Sequence, residues 1–257
     1  MDIVVCVKQV PDTYSERRLD PGDKTLDRDA ADGVINELDE YAIEEALRLA
    51  EANGGTVTVL TMGPEKASDS IRKALAMGAD KAVHVVDGSL HGADAVQTSA
   101  ALAAALTALD ADLVLLGSES TDARMSVIPA MLAERLSLPQ LTFASQVAVD
   151  GSRISARRQT EHGHERVEAT LPAVVSVVEK INEPRYPSFK GIMAAKKKEL
   201  KTLRAADIGL AGSALATAAT EVTEFTAAPP KGKGVIVTDE GEGGAQIVAY
   251  LAGQKLL

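Results

Sequence analysis

The chain has 257 residues, which is enough for one or two domains with a sizeable buried core. A net charge of −10 at pH 7 argues against a general nucleic-acid-binding protein. Aromatic residues make up only 3% of the chain and tryptophan is absent, so Ala, Val and Leu must build the core, as is typical of a parallel sheet covered by helices.

The single cysteine, Cys6, excludes an intrachain disulfide and indicates a reducing compartment. No apolar run approaches the roughly 20 residues that span a bilayer, so we expect no direct membrane insertion. The first residues run straight into a strand, without a charged region and an apolar stretch ahead of it. We therefore expect no signal peptide and a cytoplasmic location.

Strands and helices alternate along the first half of the chain. Predicted strands occupy residues 2–7, 56–62, 81–86 and 113–117, and predicted helices occupy residues 40–52, 66–77, 93–109 and 125–136. Such alternation is typical of βαβ units and predicts a mostly parallel sheet.

The pattern changes after Pro139. Short strands separated by turns are predicted at residues 146–149, 153–159 and 166–169, and an apolar run at 173–178 rejoins the main sheet. We therefore predict an α/β fold with a doubly wound, mostly parallel, Rossmann-like sheet and an antiparallel addition.

The segment 180–200 leaves this core as a positively charged loop. Pro184 and Pro187 disfavour a regular helix or a central strand there. The segment presents aromatic and basic residues: Arg185, Tyr186, Phe189, Lys190 and three consecutive lysines at 196–198. Aromatic residues and arginine are favoured at docking surfaces. The alternative is a solvated loop whose Phe189 folds back onto the core.

The last part of the chain differs again in composition. Residues 211–233 are rich in Ala, Thr, Pro and Gly, which suits an extended linker. Residues 246–257 carry an apolar helical stripe that docks either on its own domain or on another subunit. We therefore predict an α/β domain over residues 1–210 and a linker with a C-terminal arm over 211–257.

The residues 117–122 form the first candidate site. They follow a predicted strand and precede a predicted helix, and ligands of doubly wound sheets bind outside the carboxyl ends of strands. Backbone amides, hydroxyls and a helix N-terminus suit a phosphate. Ser120, Thr121 and Asp122 are also good N-caps, so helix capping alone is the alternative. The stretch is neither a Walker A loop nor a GxGxxG motif.

Two further strand ends are predicted at the same edge, at residues 6–10 and 62–64. Either the three ends converge on one crevice or they are ordinary turns, and the strand order decides between the two. We expect Cys6 to be a small core residue. We expect surface positions and no metal site for the histidines His84, His91, His162 and His164. No nucleophile, base and orienting residue form a recognisable set, which favours a carrier or binding protein over a hydrolase.

Specific stretches are spread over nearly the whole chain. They are VKQVPD at 7–12, EEALRL at 44–49, ALAMGAD at 74–80, the charged and apolar stretch 156–176, NEPRY at 182–186 and IMAAKKK at 192–198. This combination resembles the beta subunits of electron transfer flavoproteins.

The resemblance implies a heterodimer with a larger alpha subunit, which holds most of a redox-active FAD, while the beta subunit holds a structural AMP. The implied AMP pocket consists of Cys6, Asn36, Glu37, Leu38, Asp39, Met62, Gly117, Ser118, Glu119, Ser120, Thr121, Asp122, Ala123, Arg124, Met125, Ser126, Val127 and Ile128. Backbone groups supply many of these contacts, which explains why no charged phosphate clamp is visible.

The resemblance also implies the partners. Segment 182–198 matches the family's recognition loop, with Arg185, Tyr186, Phe189, Lys190, Ile192 and Met193 as partner-binding residues. The arm packs on the alpha subunit. The pair carries electrons from flavin dehydrogenases, such as the acyl-CoA dehydrogenases of fatty acid oxidation, towards a membrane quinone reductase. The chain is therefore expected to be an electron carrier and not an enzyme.

The sequence departs from the family at residues 123–127, where ARMSV replaces a glycine-rich approach to the phosphate. These side chains either crowd the phosphate, or Arg124 contacts it directly. Electron-bifurcating members bind a second FAD in place of AMP, and the sequence leaves that choice open. Two other functions compete: a stand-alone, stress-type adenine-nucleotide sensor, and a nucleotide hydrolase, for which a catalytic set is lacking.

Overall fold

A nine-stranded sheet lies at the centre of a computed structural model that describes residues 1–227, 229–230, 232, 234 and 236–257. Four neighbouring strands form its middle: β1 (Asp2–Cys6), β4 (Thr56–Met62), β6 (Leu113–Gly117) and β10 (Ala173–Val177). They run parallel and are buried almost throughout, because helices cover both faces.

The remaining strands extend the sheet at both edges. They are β5 (Lys81–Val85) and β11 (Leu200–Leu203) on one side, and β7 (Gln140–Asp150), β8 (Arg153–Thr160) and β9 (Gly163–Thr170) on the other. The order is β11-β5-β4-β1-β6-β10-β7-β8-β9, and only the β7–β8 and β8–β9 pairs are antiparallel. A separate ribbon joins β2 (Gln9–Pro11) to β3 (Gly33–Ile35). The predicted parallel sheet with an antiparallel addition is confirmed.

Helices pack on both faces of the sheet. One face carries α1 (Glu37–Asn53), α2 (Ser68–Met77) and α5 (Phe189–Ala195), and the other carries α3 (Ala95–Thr107) and α4 (Ile128–Leu136). Successive side chains of β1 alternate between them: Ile3 and Val5 join the first core cluster, and Val4 and Cys6 join the second. This arrangement confirms the doubly wound fold.

The chain divides into two units, residues 1–223 and 224–257. At the end of the first unit, Asp94 Oδ2 accepts hydrogen bonds of 2.9 Å from the backbone amides of Ala219 and Thr220. In the second unit, helix α6 (Gly243–Gly253) exposes apolar side chains, among them Ile247 and Tyr250. No helix in the described ranges combines the length and apolarity needed to cross a membrane.

The prediction that segment 180–200 contains no regular helix is wrong. Helix α5 begins two residues after Pro187, so neither proline interrupts its hydrogen bonds. The Ser188 hydroxyl caps it by accepting a 3.0 Å hydrogen bond from the Gly191 amide. The short strand β11 was not predicted, because its two middle residues are exposed and polar.

The prediction that all four histidines lie at the surface is wrong for one of them. His84 lies within β5 and is only 4% exposed, because both faces of that strand are covered. Its Nε2 atom is 3.1 Å from the carbonyl oxygen of Gly63. Burial lowers the pKa of His84, which favours the neutral ring. His91, His162 and His164 are exposed, as predicted.

Candidate functional site

The strand order reverses at β1. The chain passes from β1 through α1 to β4 on one side, and later places β6 on the other side of β1. The carboxyl ends of three parallel neighbours therefore meet at one edge, so the strand order decides between the two alternatives in favour of convergence. Such a reversal is where doubly wound sheets bind their ligands.

Asn36, the residue before α1, joins the loops that follow β1 and β6. It is 1% exposed. Its side-chain Nδ2 donates to the carbonyl oxygen of Glu119 at 2.9 Å, and its Oδ1 accepts from the Thr121 amide at 3.1 Å. Its own backbone amide donates to the carbonyl oxygen of Lys8 at 2.9 Å. One amide side chain thus fixes the loop after β6 against the end of β1.

Asp39, in the first turn of α1, bridges the same two strand ends and is 5% exposed. Its Oδ2 accepts a 2.8 Å hydrogen bond from the amide of Lys8, and its Oδ1 accepts one of 3.2 Å from the amide of Gly117. Burial raises the pKa of Asp39 to about 7, against the lowering effect of these hydrogen bonds.

Gly117 allows this close approach. A Cβ atom at this position would lie 2.6 Å from Asp39 Oδ1 and 2.9 Å from the backbone carbonyl carbon of Leu38. Both distances are far below van der Waals contact, and the second involves backbone that cannot rotate away. The end of β6 therefore requires glycine for the start of α1 to rest on it.

Asp122 fixes the other end of the loop, and its side chain is 3% exposed. Lys8 Nζ lies 2.7 Å from its Oδ1, and Arg28 Nη2 lies 3.6 Å from its Oδ2. Burial by itself raises the pKa of Asp122, but the charge and hydrogen bond of Lys8 outweigh it and lower the net pKa. Lys8 Nζ also donates to Ser120 Oγ at 3.2 Å, so both cations hold the loop in place.

Arg124 and Ser126 adopt the left-handed backbone region, with φ values of 50° and 54°. These residues lie in the stretch 123–127, where this sequence lacks the glycines expected from the resemblance. They nevertheless adopt a backbone conformation that glycine adopts readily. Ala123, Arg124 and Met125 are exposed. Within the residues that the structure describes, the backbone amides of Ala123, Met125 and Ser126 have no protein acceptor. These three amides, which we call the open amides, thus lie immediately before the N-terminus of α4.

The structure brings most of the sequence-predicted pocket residues together at this edge. Cys6 is buried, and burial raises the pKa of its thiol to about 12, so it is a core residue and not a nucleophile. Met62 is half-buried at the end of β4. The hydroxyl of Thr121 is buried without a partner among the described residues. Arg28 was not predicted, because it approaches through a long loop that carries no local signal.

The second predicted surface lies on α5 and the residues before it. Tyr186 and Phe189 are 93% and 82% exposed, and Ile192 and Met193 are about half exposed. Phe189 therefore does not fold back onto the core, as the alternative required. Arg185 instead forms ion pairs with Glu44 and Glu51 on α1.

Comparisons with known proteins identify the family. A family model described as the electron transfer flavoprotein domain matches residues 23–208. The chain is 55% identical to the electron transfer flavoprotein subunit beta of Mycobacterium tuberculosis, over 100% of this chain and 99% of that protein. It is 54% identical to the corresponding subunit of Mycobacterium leprae, with the same coverage. It is 38% identical to the caffeyl-CoA reductase-Etf complex subunit CarD of Acetobacterium woodii, over 93% of this chain and 92% of that protein.

We predict that Gly117→Ala lowers the free energy of unfolding by about 1–3 kcal/mol, because the added methyl group forces Asp39 and Leu38 away from β6. Denaturant unfolding of the full chain measures the effect. Gly88→Ala is the control, since a Cβ atom there meets nothing within 4 Å. Equal stabilities of the two variants would show that the close approach at Gly117 is relaxed in solution.

We predict a specific pH dependence for Asp39. Its pKa is raised from 3.8 to about 7 in the folded chain, so its contribution to stability is fully present below about pH 4 and is lost as the pH rises through 7. Between pH 5 and pH 8, wild type should lose on the order of 2–3 kcal/mol more than Asp39→Asn. Urea unfolding of both chains at the two pH values measures this difference, and parallel profiles would contradict the assignment.

Proposed function

The chain belongs to the electron transfer flavoprotein family, as a beta subunit, and from this premise we propose that it pairs with an alpha subunit and holds one AMP at the reversal of its strand order. Beta subunits of this family are electron carriers. The chain is accordingly part of a flavoprotein that transports electrons, and it is not itself an enzyme.

The open amides before α4 carry the proposal of an adenylate site. Three backbone N–H groups, at Ala123, Met125 and Ser126, have no protein acceptor in the described part of the chain and stand at the positive end of α4. The unpartnered hydroxyl of Thr121 adds a further polar group. These groups fit a phosphate without a lysine clamp, because backbone amides supply the donors.

The bound AMP has a structural role in this proposal. The loop that would hold it is already fixed by Asn36 and Asp122, so the nucleotide adds contacts between α1, β6 and α4. Arg124 and Ser126 adopt positive φ values, a conformation that glycine reaches readily, and they keep their side chains. The open amides of the same stretch support backbone contact with the phosphate.

The FAD is held mostly by the alpha subunit, and when bound it supplies the electron-transfer chemistry. This chain contributes one wall over the flavin. The unit from 224 to 257 is the arm that packs on the alpha subunit, and the exposed apolar side chains of α6 support this role. A cytoplasmic location accords with the lone, buried Cys6.

The exposed apolar side chains of Tyr186, Phe189, Ile192 and Met193, which we call the docking patch, bind flavin dehydrogenases such as acyl-CoA dehydrogenases. The exposed Lys190 steers these partners electrostatically. Electrons then pass towards a membrane quinone reductase. Arg185 is already bound to two carboxylates, so we assign it to holding the segment and not to steering.

A second candidate keeps the carrier function but places a second FAD in the beta site. The Acetobacterium woodii relative is named as a subunit of a caffeyl-CoA reductase-Etf complex, and this name does not say which nucleotide its beta site holds. The choice between the two rests on the identity of the bound nucleotide.

We predict that co-expression with its alpha subunit yields a yellow heterodimer with one FAD and one AMP, which acid extraction and chromatography quantify. Asn36→Ala should lower the AMP content and leave the FAD content unchanged, because Asn36 fixes only the loop at the beta site. Asn53→Ala, at the opposite end of α1, is the matched control. Two FADs per heterodimer would contradict AMP in the beta site and support the second candidate. A colourless single chain would favour the nucleotide sensor.

We predict that Phe189→Ala slows reduction of the heterodimer by a reduced acyl-CoA dehydrogenase by roughly tenfold, since exposed aromatic anchors dominate docking energies. Stopped-flow absorbance of the flavin measures the rate, and the flavin content should stay at its wild-type level. Phe189→Leu keeps an apolar anchor and should remain within about threefold of wild type. Wild-type rates for the alanine variant would rule out this docking patch.

A further inference from the structure

The residues just before the docking patch are bound tightly to α1. The Glu44 carboxylate, on a residue 3% exposed, accepts three hydrogen bonds from Arg185: 3.1 Å from the backbone amide, 2.7 Å from Nε and 3.2 Å from Nη2. Arg48, one turn further along α1, donates a fourth at 2.9 Å from its Nε. Two guanidinium groups thus satisfy the hydrogen bonds of a buried carboxylate, and one of them, that of Arg185, directly precedes the docking patch.

Asn182 extends this anchor along one face of α1. Arg185 Nη1 also lies 2.6 Å from Glu51 Oε1, but the Glu51 side chain is 61% exposed, so solvent screens this pair. The side-chain amide of Asn182 donates at 3.0 Å both to the carbonyl oxygen of Tyr41 and to Glu45 Oε2. The acceptors recur at helical spacing along α1, so a single rigid helix holds residues 182–185.

The far end of the segment is bound to α2. Lys198 Nζ donates to the carbonyl oxygens of Leu75, Gly78 and Ala79, at 2.9, 3.2 and 2.6 Å, which caps the C-terminus of that helix. A Cβ atom at Gly191 would lie 2.4 Å from the carbonyl oxygen of Ala76, so α5 rests directly on α2. The chain is therefore held on both sides of the docking patch, by α1 before it and by α2 after it, and the apolar side chains of the patch are exposed between these two anchors.

The anchor on α1 depends on an ionised carboxylate. Burial by itself raises the pKa of Glu44, but the hydrogen bonds from Arg185 outweigh it and lower the net pKa, so the carboxylate is ionised. Pro184 and Pro187 restrict the backbone on both sides of Arg185, so the direction of the chain at Tyr186 follows from where Arg185 is held.

We propose that Glu44 is a positioning residue for partner docking: acting through Arg185, it holds the docking patch in the geometry that dehydrogenases recognise. This inference rests on the proposed function, because Glu44 can position the docking patch for partners only if that patch binds them. A patch held in its bound geometry loses little conformational freedom on association, which favours affinity for the partner without changing the electron-transfer step.

The experiment uses the heterodimer and varies the concentration of a reduced acyl-CoA dehydrogenase. Glu44→Gln and Arg185→Gln should each raise KM roughly tenfold and leave kcat within about twofold, since hydrogen bonds between charged groups are lost but the flavin site is untouched. The double variant should resemble each single variant, because both remove the same contact. Glu51→Gln is the matched control: it weakens an exposed partner of Arg185 and should leave KM within about twofold.

A second measurement is independent of turnover. Hydrogen exchange of the amides of residues 182–189 should be faster in Glu44→Gln than in wild type or Glu51→Gln, while the amides of α2 stay protected. Should Glu44→Gln fail to fold, Glu44→Asp keeps the charge but shortens the reach to Arg185, and the same increase in KM is expected.

The outcomes separate the inference from the function it rests on. An unchanged KM for the Glu44 variants, with a raised KM for Phe189→Ala, overturns the positioning role and leaves the docking patch in place. Additive effects of the Glu44 and Arg185 substitutions also overturn it, because they indicate general loosening. If Phe189→Ala also leaves KM unchanged, the docking patch is ruled out, and the positioning role of Glu44 is ruled out with it.

Discussion

The carboxylate of Asp39 is the contact on which the candidate site depends. It receives the backbone amides of Lys8 and Gly117, and so ties the ends of β1 and β6 to the first turn of α1. Burying an ionised carboxylate costs solvation free energy, and the raised pKa of Asp39 reflects that loss. Asn36 then adds the loop after β6 to the same unit. Asn36 and Asp39, two polar residues at the start of one helix, thus join the three segments at this edge.

Helix α1 connects this edge to the docking patch. Its first turn holds the strand ends through Asp39, and its middle holds Arg185 through Glu44. Both carboxylates are buried and both are satisfied by specific donors, which is what prevents a buried polar group from being destabilising. The candidate site and the docking patch are thus both attached to the same helix.

Local patterns predicted the parts of the fold that depend on periodicity. The strands Thr56–Met62 and Leu113–Gly117 agree with the sequence prediction residue for residue, because apolar runs between turn signals leave little choice. Helix α5 was missed because two prolines outweighed the Ser188 cap in a short window. His84 was misplaced because a polar residue inside a strand does not reveal whether its neighbours cover it. The resemblance supplied Asn36 and Asp39 as site residues, but not their contacts, because Asn36 meets a residue 83 positions away and Asp39 meets one 78 positions away.

The left-handed backbone of Arg124 and Ser126 has a consequence for any ligand of this loop. Residues with a Cβ atom have fewer conformations in the unfolded chain than glycine, so part of the ordering of the loop is completed when the protein folds. In a glycine-rich loop, more of the backbone conformational entropy would be lost only when a ligand binds. The backbone strain of this loop is therefore borne by the chain itself, and a ligand bound there would lose less entropy to the ordering of the loop.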